Sequence, residues 1–219
     1  MRNFIENNIP TDFCTFCEED MDKVIYRTEN FTVWLALGPI VEGYCLIIPN
    51  KHYNCIGALP ESLHLEFFKL KSIVRSILEE TYGSCIFYEH GRAGVCSVQP
   101  GEQLCYHAHL HAVPLNKDLL QDFDKDLLSI KLEVSNDIFE LYRKGGHYLF
   151  YEDTQKNEYI FYVSRPIPRQ YLRVLAANSI GKIELSSWND FPRIEILESG
   201  RQRLIPKFLE VDKYEFVKA

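Results

Sequence analysis

The chain has 219 residues, 46% of them hydrophobic, and a formal net charge of −7. This length allows one large domain or one domain with a long extension, and the hydrophobic fraction suffices for a core. The negative charge argues against general nucleic-acid binding, although a locally positive pocket can still hold a small anion. No apolar run reaches the length of a membrane span, and the first residues lack the basic and apolar regions of a signal peptide.

In the first half, apolar patterns predict strands over 24–27, 31–37, 43–49, 84–89 and 105–114, and the strand over 43–49 is almost wholly apolar. Between them, the helical spacing of apolar residues predicts a helix over 61–82, which Gly83 ends. The seven cysteines are scattered and odd in number, which predicts reduced thiols and a cytoplasmic location.

The second half begins after Leu115. We expect helical pieces over 118–144, an aromatic β-hairpin over 147–164 and a helix over 168–180 that Gly181 stops. The remainder has no clear pattern. No low-complexity linker separates the halves, so we predict an α+β fold in which residues 116–219 form an extension packed on residues 1–115.

Three of the seven histidines, His107, His109 and His111, occupy alternate positions within five residues. In a strand they share one face, while the small or apolar residues between them point to the core. An exposed structural row is one alternative. A single metal site for all three is another, but side chains about 7 Å apart cannot all reach one ion without a strong bend. We therefore expect the three imidazoles to have different roles.

The segment HAHLHAV resembles the signature of the histidine-triad (HIT) family. GYCLIIPNKHY resembles the family's glycine, apolar strand and Pro-x-x-His, and CTFC resembles its Cys-x-x-Cys. The resemblance covers residues 14–115. It implies an antiparallel sheet with helices and a nucleotidyl hydrolase or transferase that attacks the α-phosphorus of a nucleotide derivative.

The resemblance assigns the nucleophile to His109, which would carry the nucleotidyl group covalently. A neutral imidazole can attack through one nitrogen if the other donates a hydrogen bond to a fixed acceptor. His111 would contact the phosphoryl oxygens and assist the leaving group. Family members are commonly dimers, so a homodimer stays open.

Cys14, Cys17, His52 and His107 form a Cys₂His₂ set, a composition that suits tetrahedral Zn²⁺. Zinc-bearing HIT proteins use the corresponding positions, so the resemblance implies a structural zinc. His107 would then anchor the strand instead of taking part in catalysis. The alternative is a pair of ordinary thiols and a surface histidine.

Three positions depart from the HIT pattern. Ala36 stands where many members have an acidic residue for the ribose hydroxyls, Glu89-His90-Gly91 replaces an Asn-x-Gly stretch, and Leu104 replaces a serine. These departures put ordinary purine-nucleoside phosphoramidase activity in doubt.

A looser resemblance links FYEHG and PRQYLR to HIT proteins with a C-terminal extension. We assign substrate contacts to five residues: Glu89, His90, Gln103, Gln170 and Arg173. For Arg173, a phosphate clamp competes with a solvated helix face, and His90 is either a fourth active-site imidazole or a turn residue.

The leading function is thus a HIT-type nucleotide hydrolase or transferase whose partner is a nucleotide or a nucleotide conjugate. A nucleotide-binding sensor or scaffold with little turnover is the second possibility. An enzyme that removes adenylate from a nucleic-acid end is the third, and the acidic charge weakens it.

Overall fold

The computed structural model describes residues 14–18, 21–91, 96–97, 107–123, 125, 127–133, 137–144, 148–163, 165, 167–168 and 170–215. The described residues form ten strands: β1 (Val24–Arg27), β2 (Phe31–Leu35), β3 (Cys45–Pro49), β4 (Ile86–Gly91), β5 (Cys96–Ser97), β6 (Leu110–Val113), β7 (Leu128–Lys131), β8 (Tyr148–Glu152), β9 (Glu158–Tyr162) and β10 (Ile167–Pro168). They also form four α-helices: α1 (Glu61–Tyr82), α2 (Asp137–Arg143), α3 (Tyr171–Ser179) and α4 (Ile194–Glu215). Among these described helices, none combines the length and apolarity that crossing a membrane requires.

Eight strands form one sheet in the order β1-β2-β3-β6-β4-β8-β9-β7. Every neighbouring pair in it is antiparallel. The last three strands in this order come from the second half of the chain, and β8 joins the first half by pairing with β4. This arrangement confirms the predicted α+β class, with an antiparallel sheet and an extension packed on it.

The predicted helix over 61–82 and the hairpin of β8 and β9 are confirmed. Gly83 ends α1 in the left-handed region, with φ of +91°, and its N–H donates to Glu79. The predicted strand over 105–114 is shorter, because β6 begins only at Leu110. Just before it, the Ala108 N–H donates to the Tyr53 carbonyl instead of joining the ladder with β3.

Two parts of the second half differ from expectation. Residues 128–131, expected to be helical, form strand β7, which pairs with β9 at the edge of the sheet. All four of its side chains are exposed. The last region, which has no clear sequence pattern, contains the 22-residue helix α4. Its contacts with α1 and β1 bury Leu204 and Phe208 completely, so tertiary packing stabilises this helix.

The sheet is covered on both faces. One core cluster contains residues of α1, α2 and α4, and the other contains residues of α3. Within β3, Cys45 and Ile47 belong to the first cluster, whereas Leu46 and Ile48 belong to the second. Strands alternate their side chains between faces, so each face carries its own core. Ala108, Leu110 and Ala112 lie in the first cluster, which leaves the histidines for the α3 face.

The extension also holds the segment 36–44 that connects β2 with β3. Arg193 donates to the Pro39 and Ile40 carbonyls at 2.7 and 2.8 Å, and the Gly38 N–H donates to Pro192 at 3.0 Å. Further along, Ser199 donates to Glu42 at 2.8 Å. The path of this segment is therefore set by residues more than 140 positions away in the sequence.

A buried ion network ties α1 to the hairpin. Lys71 pairs with Glu152 and Glu158, and Arg75 pairs with Glu152 and Glu79. The side chains of Lys71, Arg75 and Glu152 are each 10% exposed or less. Although burial alone would raise the pKa of Glu152, the charges of Lys71 and Arg75 lower it below its usual value.

We predict that Glu152→Gln destabilises the protein by about 3 kcal/mol, because two buried cations lose their shared counter-ion. Urea unfolding measures the loss. Glu140→Gln is the matched control, since the Glu140–Lys144 pair is exposed, and it should cost less than about 0.5 kcal/mol. Equal losses in the two variants would contradict the role of the network.

Candidate active site and metal centre

His109 precedes β6 and has a defined hydrogen bond. Its Nδ1 lies 2.6 Å from the carbonyl oxygen of His107. A carbonyl can only accept, so Nδ1 carries the proton and Nε2 keeps its lone pair. A fixed acceptor of this kind is what a nucleophilic imidazole needs.

His111 lies next to His109, with 4.8 Å between the ring centroids. Its Nδ1 is 2.7 Å from the hydroxyl oxygen of Tyr44. The ring of Tyr88 stacks on the imidazole, with 4.7 Å between the ring centroids. Its neighbours therefore include one imidazole and two buried phenols. Neither tyrosine is predicted as a site residue from the sequence. No motif marks them, and only the pairing of neighbouring strands brings them next to His111.

His90 lies in β4, not in a turn. Tyr88 of β4 pairs with His111, and His90, two residues further along the same face of β4, is close enough to His109 for their charges to interact. Burial, together with the nearby His109, lowers the pKa of His90 to about 4. This position agrees with the alternative of a fourth imidazole in the site.

The environment of His109 and His111 favours their neutral forms. Burial is the main cause that lowers the pKa of both His109 and His111. For His111, charge on His109 and on Arg173 adds to the decrease. A neutral imidazole can act as a nucleophile through one nitrogen and as a hydrogen-bond donor through the other. An imidazolium ion has no free lone pair and can only donate.

A metal-ligand group adjoins the histidine cluster. The ligand atoms of Cys14, Cys17, His52 and His107 all lie within 4.8 Å of one another. Nδ1 of His107 is 3.4 Å from Cys14 Sγ and 3.5 Å from Cys17 Sγ, and Nδ1 of His52 is 3.3 Å from Cys17 Sγ. The four residues named from the sequence are thus brought together, and they could bind a metal ion.

The donor set fits a tetrahedral ion. Bonds of about 2.3 Å to sulfur and about 2.0 Å to nitrogen place neighbouring S and N ligands about 3.5 Å apart, close to the separations found here. Nε2 of His107 is 2.8 Å from the Pro49 carbonyl and donates to it, which leaves Nδ1 unprotonated for a metal.

Phe16, between the two cysteines, connects the metal-ligand group with the histidine cluster. Its ring centroid lies 5.0 Å from that of His109, 5.9 Å from that of His107 and 5.4 Å from that of Trp34. Only its place inside Cys-x-x-Cys could have marked it in the sequence. An ion bound by Cys14 and Cys17 would therefore also hold the ring of Phe16 in place beside His109.

Glu89 lies on the opposite face of β4 from the histidines. It is 2% exposed and accepts hydrogen bonds from the Ile56 N–H at 2.7 Å and the Tyr148 hydroxyl at 2.8 Å. The expected substrate contact of Glu89 is therefore corrected to a structural contact between β4, β8 and the turn 56–58. Alternation along the strand explains this, since His90 and Glu89 cannot face the same side.

Arg173 and Gln170 hold the extension together. Arg173 is 7% exposed, and its guanidinium donates to the carbonyls of Gly38, Leu185 and Ser186. With its amide oriented to pair both atoms, Gln170 donates to Ser186 and accepts from the Trp188 indole. Arg173 is thus neither a solvated residue nor a free phosphate clamp, and Gln170 has a structural role instead of the expected substrate contact. Gln103 lies outside the described residues.

We predict that Glu89 makes stability fall as pH rises. Burial raises its pKa to about 7 against two opposing hydrogen bonds, so the native state keeps a proton that the unfolded chain releases above about pH 4. Its contribution is full at low pH and is lost as the pH rises through about 7.

Glu89→Gln removes this dependence. From about pH 5 to about pH 8 the free energy of unfolding of the variant should gain about 2 kcal/mol relative to the wild type. Chemical denaturation at several pH values measures it. The histidines titrate in both proteins and cancel in the difference, so a pH-independent difference would contradict the prediction.

The α+β fold, with a histidine cluster beside a Cys₂His₂ group, has the features expected of a histidine-triad domain. Residues 18–118 match the family model described as HIT domain. This match, over less than half of the chain, confirms the resemblance to the HIT family that the motifs indicate.

The chain is also similar to proteins from several organisms. An uncharacterised HIT-like protein of Methanocaldococcus jannaschii is 28% identical over 107 residues, which span 46% of this chain and 78% of that protein. A Zn-bound histidine triad family protein from Mycobacterium smegmatis is 24% identical in its crystal structure, with a TM-score of 0.38 over 60% of this chain and 91% of that one. A hypothetical histidine triad nucleotide-binding protein from Sulfolobus tokodaii is 22% identical, with a TM-score of 0.37 over 60% and 87%.

Proposed function

We propose that the protein is a nucleotidyl hydrolase or transferase that acts on the α-phosphate of a nucleotide derivative through a covalent nucleotidyl-His109 intermediate. The hydrogen bond from His109 Nδ1 to the His107 carbonyl carries this proposal, because it reserves Nε2 for attack. The HIT domain match supports a nucleotide as the substrate class.

In the first step, the Nε2 lone pair of His109 forms a bond to the α-phosphorus, and the bond from phosphorus to the leaving oxygen or nitrogen breaks. The leaving group departs with that electron pair and takes a proton from His111 Nε2. In the second step, water or another acceptor attacks the phosphorus, gives its proton back to His111 and releases His109. His90, beside His109, offers a further hydrogen-bonding group near the phosphoryl oxygens.

We predict that His109→Ala lowers nucleoside monophosphate release by about a thousandfold or more, as removal of a nucleophile does. The assay uses a panel of nucleoside phosphoramidates and dinucleoside polyphosphates, with acid-quenched protein tested for bound nucleotide. His64→Ala is the control, because His64 stacks on Phe139 outside the cluster. Unchanged activity in His109→Ala would refute the mechanism.

A catalytically weak nucleotide sensor or scaffold is the second candidate. Ala36 favours it, since this residue is 3% exposed, lies in the core and carries no group for a ribose. In the same panel, tight nucleotide binding by the wild type without turnover of any compound would favour the sensor over the enzyme.

We further propose that the Cys₂His₂ group holds a structural Zn²⁺, which neutralises two thiolates and supplies folding energy. Its geometric fit and the His107–Pro49 hydrogen bond support this choice. His107 would then fix the carbonyl that orients His109, and the Cys14–Cys17 turn would hold Phe16 against the site.

We predict about one zinc per purified chain by elemental analysis. Cys17→Ser should lower the metal content and the thermal stability together, because metal binding and folding are coupled. The buried thiol variant Cys45→Ser, outside the group, is the control for metal content. Less than about 0.2 zinc per wild-type chain would contradict a tightly held structural ion.

The proposed partner is a nucleotide or nucleotide conjugate in the cytoplasm, where the described cysteines, which form no disulfide with one another, would stay reduced. The net charge of −7 disfavours a nucleic-acid partner. Whether two copies associate, as HIT proteins commonly do, is decided by the mass in solution.

A further inference from the structure

Two buried tyrosine hydroxyls form a hydrogen-bonded row that ends at Nδ1 of His111. The Tyr88 and Tyr44 hydroxyl oxygens are 2.6 Å apart, and the Tyr44 oxygen is 2.7 Å from His111 Nδ1. Tyr44 is 0% exposed and Tyr88 is 1% exposed. Tyr44 directly precedes β3, and Tyr88 belongs to β4. The sheet order β3-β6-β4 therefore places the two phenols on either side of His111, one just before β3 and one within β4.

The direction of this hydrogen-bonded row follows from the number of protons. If Tyr88 donates to Tyr44 and Tyr44 donates to His111, both hydroxyl protons have an acceptor. If His111 Nδ1 donates instead, the Tyr88 proton has no acceptor among the described residues. A buried donor left in that state costs about 1–3 kcal/mol. The first direction is favoured, and it places the His111 proton on Nε2.

Arg173 strengthens the same direction. Its guanidinium lies 5.3 Å from the ring centroid of Tyr44 and stays there through its bonds to three carbonyls. A fixed cation stabilises negative charge on the phenol oxygen, which makes the hydroxyl a stronger donor. It also disfavours a second proton on His111. Both effects keep His111 neutral, with Nδ1 accepting.

Resting on the proposed function, we propose that Tyr88, Tyr44 and Arg173 are positioning residues that let a neutral His111 protonate the leaving group. As the bond to phosphorus breaks, the Nε2 proton of His111 moves to the leaving atom and the Tyr44 proton moves to Nδ1. The negative charge then rests on the Tyr44 oxygen, between the Tyr88 hydroxyl and Arg173. When water attacks in the second step, its proton enters at Nε2 and the Nδ1 proton returns to Tyr44.

This relay removes an energetic obstacle. Burial on the α3 face makes an imidazolium at His111 costly, so a proton stored there in advance is scarce. A neutral imidazole that lost Nε2–H alone would become an imidazolate, which is also costly. Moving a second proton from Tyr44 avoids both species. Burial raises the pKa of Tyr44 and the charge of Arg173 opposes that rise, so the negative charge forms where a cation is already fixed.

The kinetic test compares leaving groups that differ in their need for a proton. The zinc-loaded wild type, Tyr44→Phe and Tyr88→Phe are assayed on the N-butyl phosphoramidate and the 4-nitrophenyl ester of one nucleoside monophosphate. The amine needs a proton to leave, whereas 4-nitrophenolate does not. For Tyr44→Phe we expect kcat to fall at least about tenfold more on the amidate than on the ester, within the range of general acid catalysis.

Tyr151→Phe is the matched control, because Tyr151 is a buried tyrosine of the same core cluster that bonds to Asp118 and Leu119 instead. It should change both substrates by the same factor. Tyr88→Phe should show the leaving-group difference in weaker form. Equal losses on the two substrates in Tyr44→Phe would mean a purely structural role and would overturn the relay.

A second measurement keeps the relay separate from the proposed reaction. Nitrogen NMR of ¹⁵N-histidine-labelled protein distinguishes protonated from unprotonated ring nitrogens. We expect Nδ1 of His111 to be unprotonated in the wild type and partly protonated in Tyr44→Phe. A protonated Nδ1 in the wild type would overturn the relay even if turnover is found. If neither substrate is turned over, the proposed function fails while the NMR result still decides the direction of the relay.

Discussion

The site depends on the three attachments of one residue, His107. Its Nε2 donates to Pro49, its Nδ1 faces the two cysteine sulfurs, and its carbonyl accepts from His109. The first bond selects the tautomer that can bind a metal, and the last selects the tautomer in which His109 can attack. The proposed metal binding and the proposed orientation of the nucleophile therefore depend on the same buried residue. An error in its position would disturb both at once.

The second half of the chain is part of this architecture, although the HIT match ends at residue 118. Its hairpin extends the sheet from β4, and the buried pairs of Lys71 and Arg75 with Glu152 fix it to α1. On the other face, α3 brings Arg173 against Tyr44. The extension thus supports the sheet from one side and the surroundings of His111 from the other.

Features encoded by local spacing could be predicted from the sequence. The histidine alternation gave the shared face, since Ala108, Leu110 and Ala112 are buried in the opposite core, and the motif residues gave the metal-ligand group. Features that depend on distant partners could not. Strand β7 has four exposed side chains and owes its form to pairing with β9. The surroundings of Arg173 depend on carbonyls at 38, 185 and 186, which no local pattern reveals.

The segment 36–44 begins at Ala36, where many HIT proteins have an acidic residue for the ribose, and ends at Tyr44, which contacts His111. Ala36 is buried, and its N–H donates to the Tyr44 carbonyl at 2.9 Å. A carboxylate at this position would have to enter the core under α3, where an unpaired charge is costly. Packing of the extension on this segment therefore excludes an acidic residue there and at the same time fixes Tyr44 beside His111. The same packing thus leaves no acidic group at Ala36 and holds Tyr44 at hydrogen-bond distance from His111. In the proposed function, any ribose hydroxyls would be bound by residues other than Ala36.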